Sequence, residues 1–128
     1  MDAEALCTLV ERYFHGVDAR EIGTILGTLT EDCRFTVETH GVEILGHAGI
    51  RAMFGRLWTG HSRVLHDRFV HIPCPERSLI ASQFQVTNWL PDGTTVHKSN
   101  ANVFRLRGAR FSAVAVYMTG ENTLRAEG

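Results

Sequence analysis

The residues able to do chemistry are spread unevenly along this chain. No Asp or Glu occurs between Asp92 and Glu121, and none between Glu43 and Asp67. Acid–base work therefore draws on few carboxylates: Asp18, Glu38, Asp32 and Asp67. Histidine is plentiful, seven in 128 residues, and the imidazole titrates close enough to neutrality to move protons in either direction. The seven form no H-x-H or H-E-x-x-H pattern, so spacing predicts no metal site. No glycine-rich phosphate loop, nucleophile elbow or cysteine–histidine signature occurs. The three cysteines, Cys7, Cys33 and Cys74, stand far apart without C-x-x-C. They read as reduced thiols of a cytoplasmic protein.

Helices come first among the elements that must position these groups. Leu6, Leu9, Val10, Tyr13, Phe14 and Val17 recur at helical spacing and predict one long amphipathic helix. Ile22, Ile25, Leu26 and Leu29 repeat the pattern, and Asp18-Ala19-Arg20-Glu21 has capping-box spacing to start that second helix. A strand is predicted over Arg34 to Glu38, with a short weak strand at Val42 to Leu45. Ile50, Met53, Phe54, Leu57 and Trp58 predict a third helix ending at Gly60. Long strands follow near Arg63–Ile72, Ser78–Leu90, Thr95–Leu106 and Arg110–Met118. Turn chemistry separates them at Pro73-Cys74-Pro75, Pro91-Asp92-Gly93 and Arg107-Gly108-Ala109. Three helices on the concave face of a curved antiparallel sheet make a single α+β domain over residues 1–128. The space between the layers is where a small-molecule pocket is expected.

Composition narrows the classes of function. Net charge is −1, so a broad basic surface for nucleic acid is not expected. Apolar residues make up 44% and charged residues 21%, ordinary for a globular domain. No apolar run is long enough for a membrane span, and the acidic start Met1-Asp2-Ala3-Glu4 is not a secretory pattern. Twelve of the 13 basic residues are Arg; Lys98 is the exception.

The order helix, helix, strand, helix and long meander resembles the nuclear-transport-factor-2-like cone fold. Local motifs agree: Leu9-Val10-Glu11-Arg12-Tyr13, Thr30-Glu31-Asp32-Cys33, Gly46-His47-Ala48-Gly49-Ile50, Asn102-Val103-Phe104-Arg105-Leu106 and Val114-Ala115-Val116-Tyr117-Met118. The resemblance spans nearly the whole chain and is closest to the SnoaL-like branch, which implies a cone-like α+β barrel. That fold hosts isomerases, dehydratases, cyclases and inert binding domains, so function must come from the site. Ketosteroid isomerase pairs a Tyr with two Asp. Their positions correspond here to Tyr13, to Val37, which cannot take a proton, and to Asn102, a neutral amide. Cyclases of the branch use a carboxylate late in the sheet, where this chain has none.

The chain is more similar to the dehydratases of the superfamily, which carry a Tyr, an Asp five residues later and a His on the first long strand. The resemblance thus implies Tyr13, Asp18 and His66 as a catalytic set. His66 would remove a proton next to a carbonyl and return it to a leaving hydroxyl. Asp18 would fix its tautomer, and Tyr13 would polarise the carbonyl. Each has an ordinary structural reading as well: Tyr13 as a core aromatic, Asp18 as a helix cap, His66 as a hydrogen-bonded core residue. Alternation places Val64, His66 and Arg68 on one face and Leu65, Asp67 and Phe69 on the other. Polarity does not choose the inner face; the resemblance chooses that of His66. Phe35, Val37, Phe54, Trp58, Asn102 and Phe104 are expected to line the binding wall.

The expected function is a cofactor-free lyase or isomerase, dehydratase-like, acting on an apolar cyclic or carbonyl compound. It would need neither metal nor nucleotide. The alternative is a non-catalytic small-molecule-binding or dimeric interaction domain of the same fold. A homodimer is expected because both faces of the last strand are largely apolar: Phe111, Ala113, Ala115 and Tyr117 alternate with Ser112, Val114, Val116 and Met118.

Overall fold

The computed structural model describes residues 1–124. Helix α1 runs Ala3–Ala19, α2 Ile22–Gly27 and α3 Gly46–Gly60. The strands are β1 Leu29–Val37, β2 Val42–Leu45, β3 Arg63–Cys74, β4 Leu79–Trp89, β5 Thr95–Arg107 and β6 Arg110–Tyr117. They form one open sheet in the order β2-β1-β6-β5-β4-β3. Neighbours pair antiparallel except β1 and β6, which run parallel, so the sheet is mixed where an antiparallel one was expected. The parallel pair arises because the chain leaves β2 through α3 and fills the sheet from its far edge inward.

Helix α1 starts where Asp2 accepts the Ala5 backbone N–H at 2.8 Å, satisfying one of the unpaired donors of the first turn. All six residues of its predicted apolar stripe are buried. The helix ends at Arg20, whose left-handed backbone (φ 58°) sends its own N–H back to the Gly16 and Val17 carbonyls. The chain reverses there into α2. A Cβ on Gly16 would stand 2.8 Å from the Ile25 side chain, so only glycine lets these helices meet this closely. The predicted capping box does not form. Asp18 lies in the last turn of α1, and Glu21 precedes α2 without a side-chain cap bond.

The core is aromatic. The Tyr13 ring meets Phe14, Phe54 and Phe104 at 4.9, 6.2 and 5.5 Å, edge to face. Phe104 reaches on to Phe111 at 4.8 Å. Each such ring removed from water contributes about 1.5–3 kcal/mol, plus up to about 1.5 for favourable ring geometry.

Two irregularities re-aim strands. In β3 the pairing with β4 slips between Asp67 and Val70, and Arg68 takes φ 55°. The bulge throws Arg68 outward, so Phe69, not Arg68, shares the inner face with Val64 and His66. In β5–β6 the register shifts at Arg105/Leu106. Phe111 consequently turns inward with Val114 and Val116, while Ala113, Ala115 and Tyr117 face out. Strict alternation had grouped Phe111 with Ala113, Ala115 and Tyr117, and the register shift separates it from them. Among the described residues no helix is long and apolar enough to cross a membrane.

Candidate active site

The last turn of α1 and the middle of β3 meet at His66. Strand β3 is the sheet's edge, so the backbone donors on its outer side have no strand to bond. Asp18 supplies that acceptor: its Oδ2 takes the His66 backbone N–H at 2.8 Å, and its Oδ1 lies 2.6 Å from the ring Nδ1. An ionised carboxylate only accepts, so Nδ1 carries the proton. Nε2 is left with its lone pair, and no hydrogen bond occupies it among the described residues. The His66 ring packs at 4.8 Å from Phe14 and 5.5 Å from Phe84. Phe14 and Asp18 sit one helical turn apart on one face of α1, so the helix delivers both the packing partner and the carboxylate. The His66 side chain is 11% exposed and that of Asp18 20%.

His66 forms part of the wall of an interior cavity of about 30 Å³. Tyr13 joins it there at 2% exposure. Burial pushes the Tyr13 hydroxyl's ionisation upward, with Cys33 adding to it, so this group can donate a hydrogen bond but not serve as a base. Burial also pushes the Cys33 thiol up to about 12. Of the expected wall residues, Phe54 and Asn102 line the cavity. Phe35, Val37 and Phe104 do not; each is fully buried behind it. Trp58 stacks on Phe54 at 5.9 Å and spends its indole N–H on the Val17 carbonyl at 3.0 Å, fastening α3 to α1. It too lies outside the lining. Helical and strand periodicity finds the buried face without saying how deep a residue sits.

Asn88, Asn100 and Met118 line the cavity without having been singled out in the sequence. Asn88 stands in phase with Phe84 and Val86 on β4. The alternation that points Asn102 inward would have found it.

The stretch after β6 closes the mouth. Lys98, 4% exposed, donates through Nζ to the Thr119 carbonyl and, at 2.6 Å, to the Glu121 carbonyl. Asn100 Oδ1 accepts the Thr119 N–H at 3.1 Å. So held, the segment carries Thr123 and Leu124 onto the cavity. A larger groove of about 1090 Å³ lies on the outer side of this segment, against α3, and excludes His66. Its histidines, His61 and His97, direct Nδ1 to the Leu57 carbonyl (2.8 Å) and the Thr87 hydroxyl (3.4 Å), not to carboxylates. Size thus points to one hollow and acid–base geometry to the other. The geometry carries more weight, because a reaction needs a paired acid and base within reach.

A second histidine bridges the same two elements. His71 Nδ1 lies 2.8 Å from the buried Ser82 hydroxyl, and its Nε2 lies 3.5 Å from Glu11 Oε2 without hydrogen-bond geometry. The cavity lining includes neither His71 nor Ser82. Among the described residues no group of three or more His, Cys, Asp or Glu side chains is placed to hold a metal ion.

The SnoaL-like domain family matches residues 10–114, and the chain belongs to that family. No curated protein sequence matches it. Among solved structures it is similar to a polyketide cyclase-like protein of Xanthomonas campestris pv. campestris, at 18% identity and TM-score 0.82, over 89% of this chain and 90% of that one. It is similar to a protein of Novosphingobium aromaticivorans described as an aromatic ring hydroxylase, at 24% identity and TM-score 0.74, over 91% and 88%. PrhC of Penicillium brasilianum matches at 11% identity and TM-score 0.80, over 90% and 80%. At these identities the likeness is one of fold: the nuclear-transport-factor-2-like cone.

Proposed function

We propose that this protein is a cofactor-free lyase or isomerase, dehydratase-like in chemistry, acting on a small apolar cyclic or carbonyl compound. The observation that carries the reading is the His66–Asp18 pair at 2.6 Å on the wall of the interior cavity. In an elimination, His66 Nε2 takes the proton from the carbon next to the carbonyl, and the electron pair forms an enolate. Tyr13 is the donor available to the developing oxyanion. The C–O bond to the β-hydroxyl then breaks, the imidazolium returns the proton to the departing oxygen, and water and a conjugated C=C result. In an isomerisation the proton goes back to a different carbon. Asp18 steadies the imidazolium in both.

The cavity of about 30 Å³ admits no ring compound, since benzene takes a cavity of about 150 Å³. Binding therefore requires Leu124 and Thr123 to withdraw from the mouth. The same tight closure favours the second reading, an interaction domain whose pocket is vestigial. Deuterium uptake separates the two. Cyclic ketones and hydroxy-ketones incubated in D₂O with the protein should exchange the protons beside the carbonyl faster than in buffer. A protein that only binds leaves exchange at the buffer rate.

A homodimer belongs to this reading. The outer sheet face presents Val70 (52% exposed) and Ile72 (62%) on β3 and Tyr117 (42%) on β6, with Ala113 and Ala115 half-buried beside Tyr117 on the same strand. Sheet-to-sheet packing about a two-fold axis would cover them. The three free cysteines fit a reducing compartment such as the cytoplasm.

A further inference from the structure

Three amides of the cavity wall, Asn88, Asn100 and Asn102, take no part in this chemistry; Asn102 leaves its Oδ1 unpaired among the described residues, and Asn88 leaves both ends of its amide unpaired. Asn88 is 1% exposed, and among the described residues neither its amide nitrogen nor its carbonyl oxygen has a hydrogen-bond partner. Buried polar side chains are nearly always paired, and leaving both ends of an amide unpaired costs stability that a leucine of similar volume would not. Asn100, on the neighbouring strand, shows the ordinary case, with its Oδ1 taking the Thr119 N–H. Asn88 could be excused as a structural residue if it bonded the backbone, and it does not. It pairs in register with Val64, two residues before His66, while His66 pairs with Val86. The unpaired amide therefore stands one rung from the imidazole on the same inner face.

We propose that Asn88 anchors the ligand and sets its specificity, selecting an apolar ring that carries a hydroxyl and a carbonyl on adjacent atoms. This deepens the pocket reading and rests on it. A carboxamide offers an acceptor and a donor side by side in one plane. Its complement is a ligand with a donor and an acceptor at the same spacing, as in an α-hydroxy-ketone or its enol. Val64, Val86, Leu57 and Met118 around it are apolar, so the rest of the ligand is apolar too. Held there, the ligand's hydroxy-ketone edge lies beside His66, where the proton on the hydroxyl-bearing carbon next to the carbonyl meets Nε2; its removal gives an enediolate, and its return to the former carbonyl carbon completes the isomerisation.

Isothermal titration calorimetry with 2-hydroxycyclohexanone, cyclohexanone and cyclohexanol tests this on the wild type, Asn88→Leu and Asn88→Ala. The wild type should bind the hydroxy-ketone about tenfold more tightly than either ring with one polar group. Both variants should bind the three within about threefold of one another. Asn88→Leu should keep or raise Tm, by up to about 5 °C, because it removes an unpaired polar group. A preference for the hydroxy-ketone that survives both substitutions overturns the assignment while leaving the pocket intact. A clear fall of Tm in both variants also overturns it, since the amide would then be satisfied in the free protein. If the wild type binds none of the three, the pocket reading itself fails and this inference with it.

Discussion

Helix α1 and strand β3 are joined by two histidine–carboxylate bridges, and their difference separates chemistry from fastening. Glu11 and Asp18 are seven residues apart, two turns along one face of α1. His66 and His71 are five apart on β3, a spacing that would put them on opposite faces of a regular strand. The bulge at Arg68 adds the residue that brings both inward. At His66 the carboxylate takes Nδ1 at 2.6 Å and leaves Nε2 open beside a cavity. At His71 the hydroxyl of Ser82 takes Nδ1 at 2.8 Å and Glu11 stands 3.5 Å from Nε2, outside the lining of that cavity. The serine, histidine and glutamate resemble a hydrolytic triad in composition. Yet Ser82 is 1% exposed and lies outside the lining of the cavity that His66 faces, so its oxygen is buried away from that site. An imidazole does chemistry when one nitrogen is fixed and the other is free in a space.

Substitution should split the two bridges sharply. His66→Ala should lower ketone exchange by about 10²–10⁴-fold, the usual worth of a positioned base, with far-UV circular dichroism unchanged. His71→Ala should leave exchange within about threefold but cost about 1–3 kcal/mol of stability in urea unfolding, because the Ser82 hydroxyl loses its partner. Equal losses of activity in both variants would erase the distinction.

Asp18→Asn should come next, slowing exchange by about 10²-fold or more. The amide no longer steadies the imidazolium, and it can turn its NH₂ toward Nδ1 and disturb the tautomer. In the other bridge Glu11→Gln should do little, since its carboxylate is 58% exposed and makes no hydrogen bond to the ring. The smallest effect concerns alkaline stability. Cys33 holds its proton up to about 12 in the fold, against an ordinary 9.0, and Tyr13 is shifted in the same direction. The unfolded chain sheds these protons first, so their stabilisation is complete below about 9 and fades as pH rises from there toward 12. Urea midpoints at pH 8 and 10.5 should therefore fall in the wild type and fall less in Cys33→Ala.

Much of the fold was legible because burial imposes a period. The stripe Leu6 to Val17 and the alternation of β4 and β5 follow directly from facing a core. The bulges were not legible: nothing in Asp67-Arg68-Phe69 marks a left-handed residue, since Gly or Asn would be the usual sign. At the site, resemblance pointed to Tyr13, Asp18 and His66, but the carboxylate's contact with both the ring and the backbone of His66 depends on β3 being an edge strand. That is a property of sheet order, which periodicity does not encode. The capping-box reading of Asp18 failed for the same reason: a tertiary partner 48 residues away displaced the local one. Leu124 was missed because a segment that closes a mouth has no repeat to betray it.

The central claim is that His66, poised by Asp18, is the working base of an interior pocket. The most direct measurement is proton NMR of deuterium uptake beside the carbonyl in a panel of cyclic ketones and hydroxy-ketones, comparing wild type with His66→Ala. The account predicts at least one compound exchanging well above the buffer rate with wild type and at the buffer rate with folded His66→Ala. Undiminished exchange in that variant, or no exchange above buffer for any compound, would contradict it.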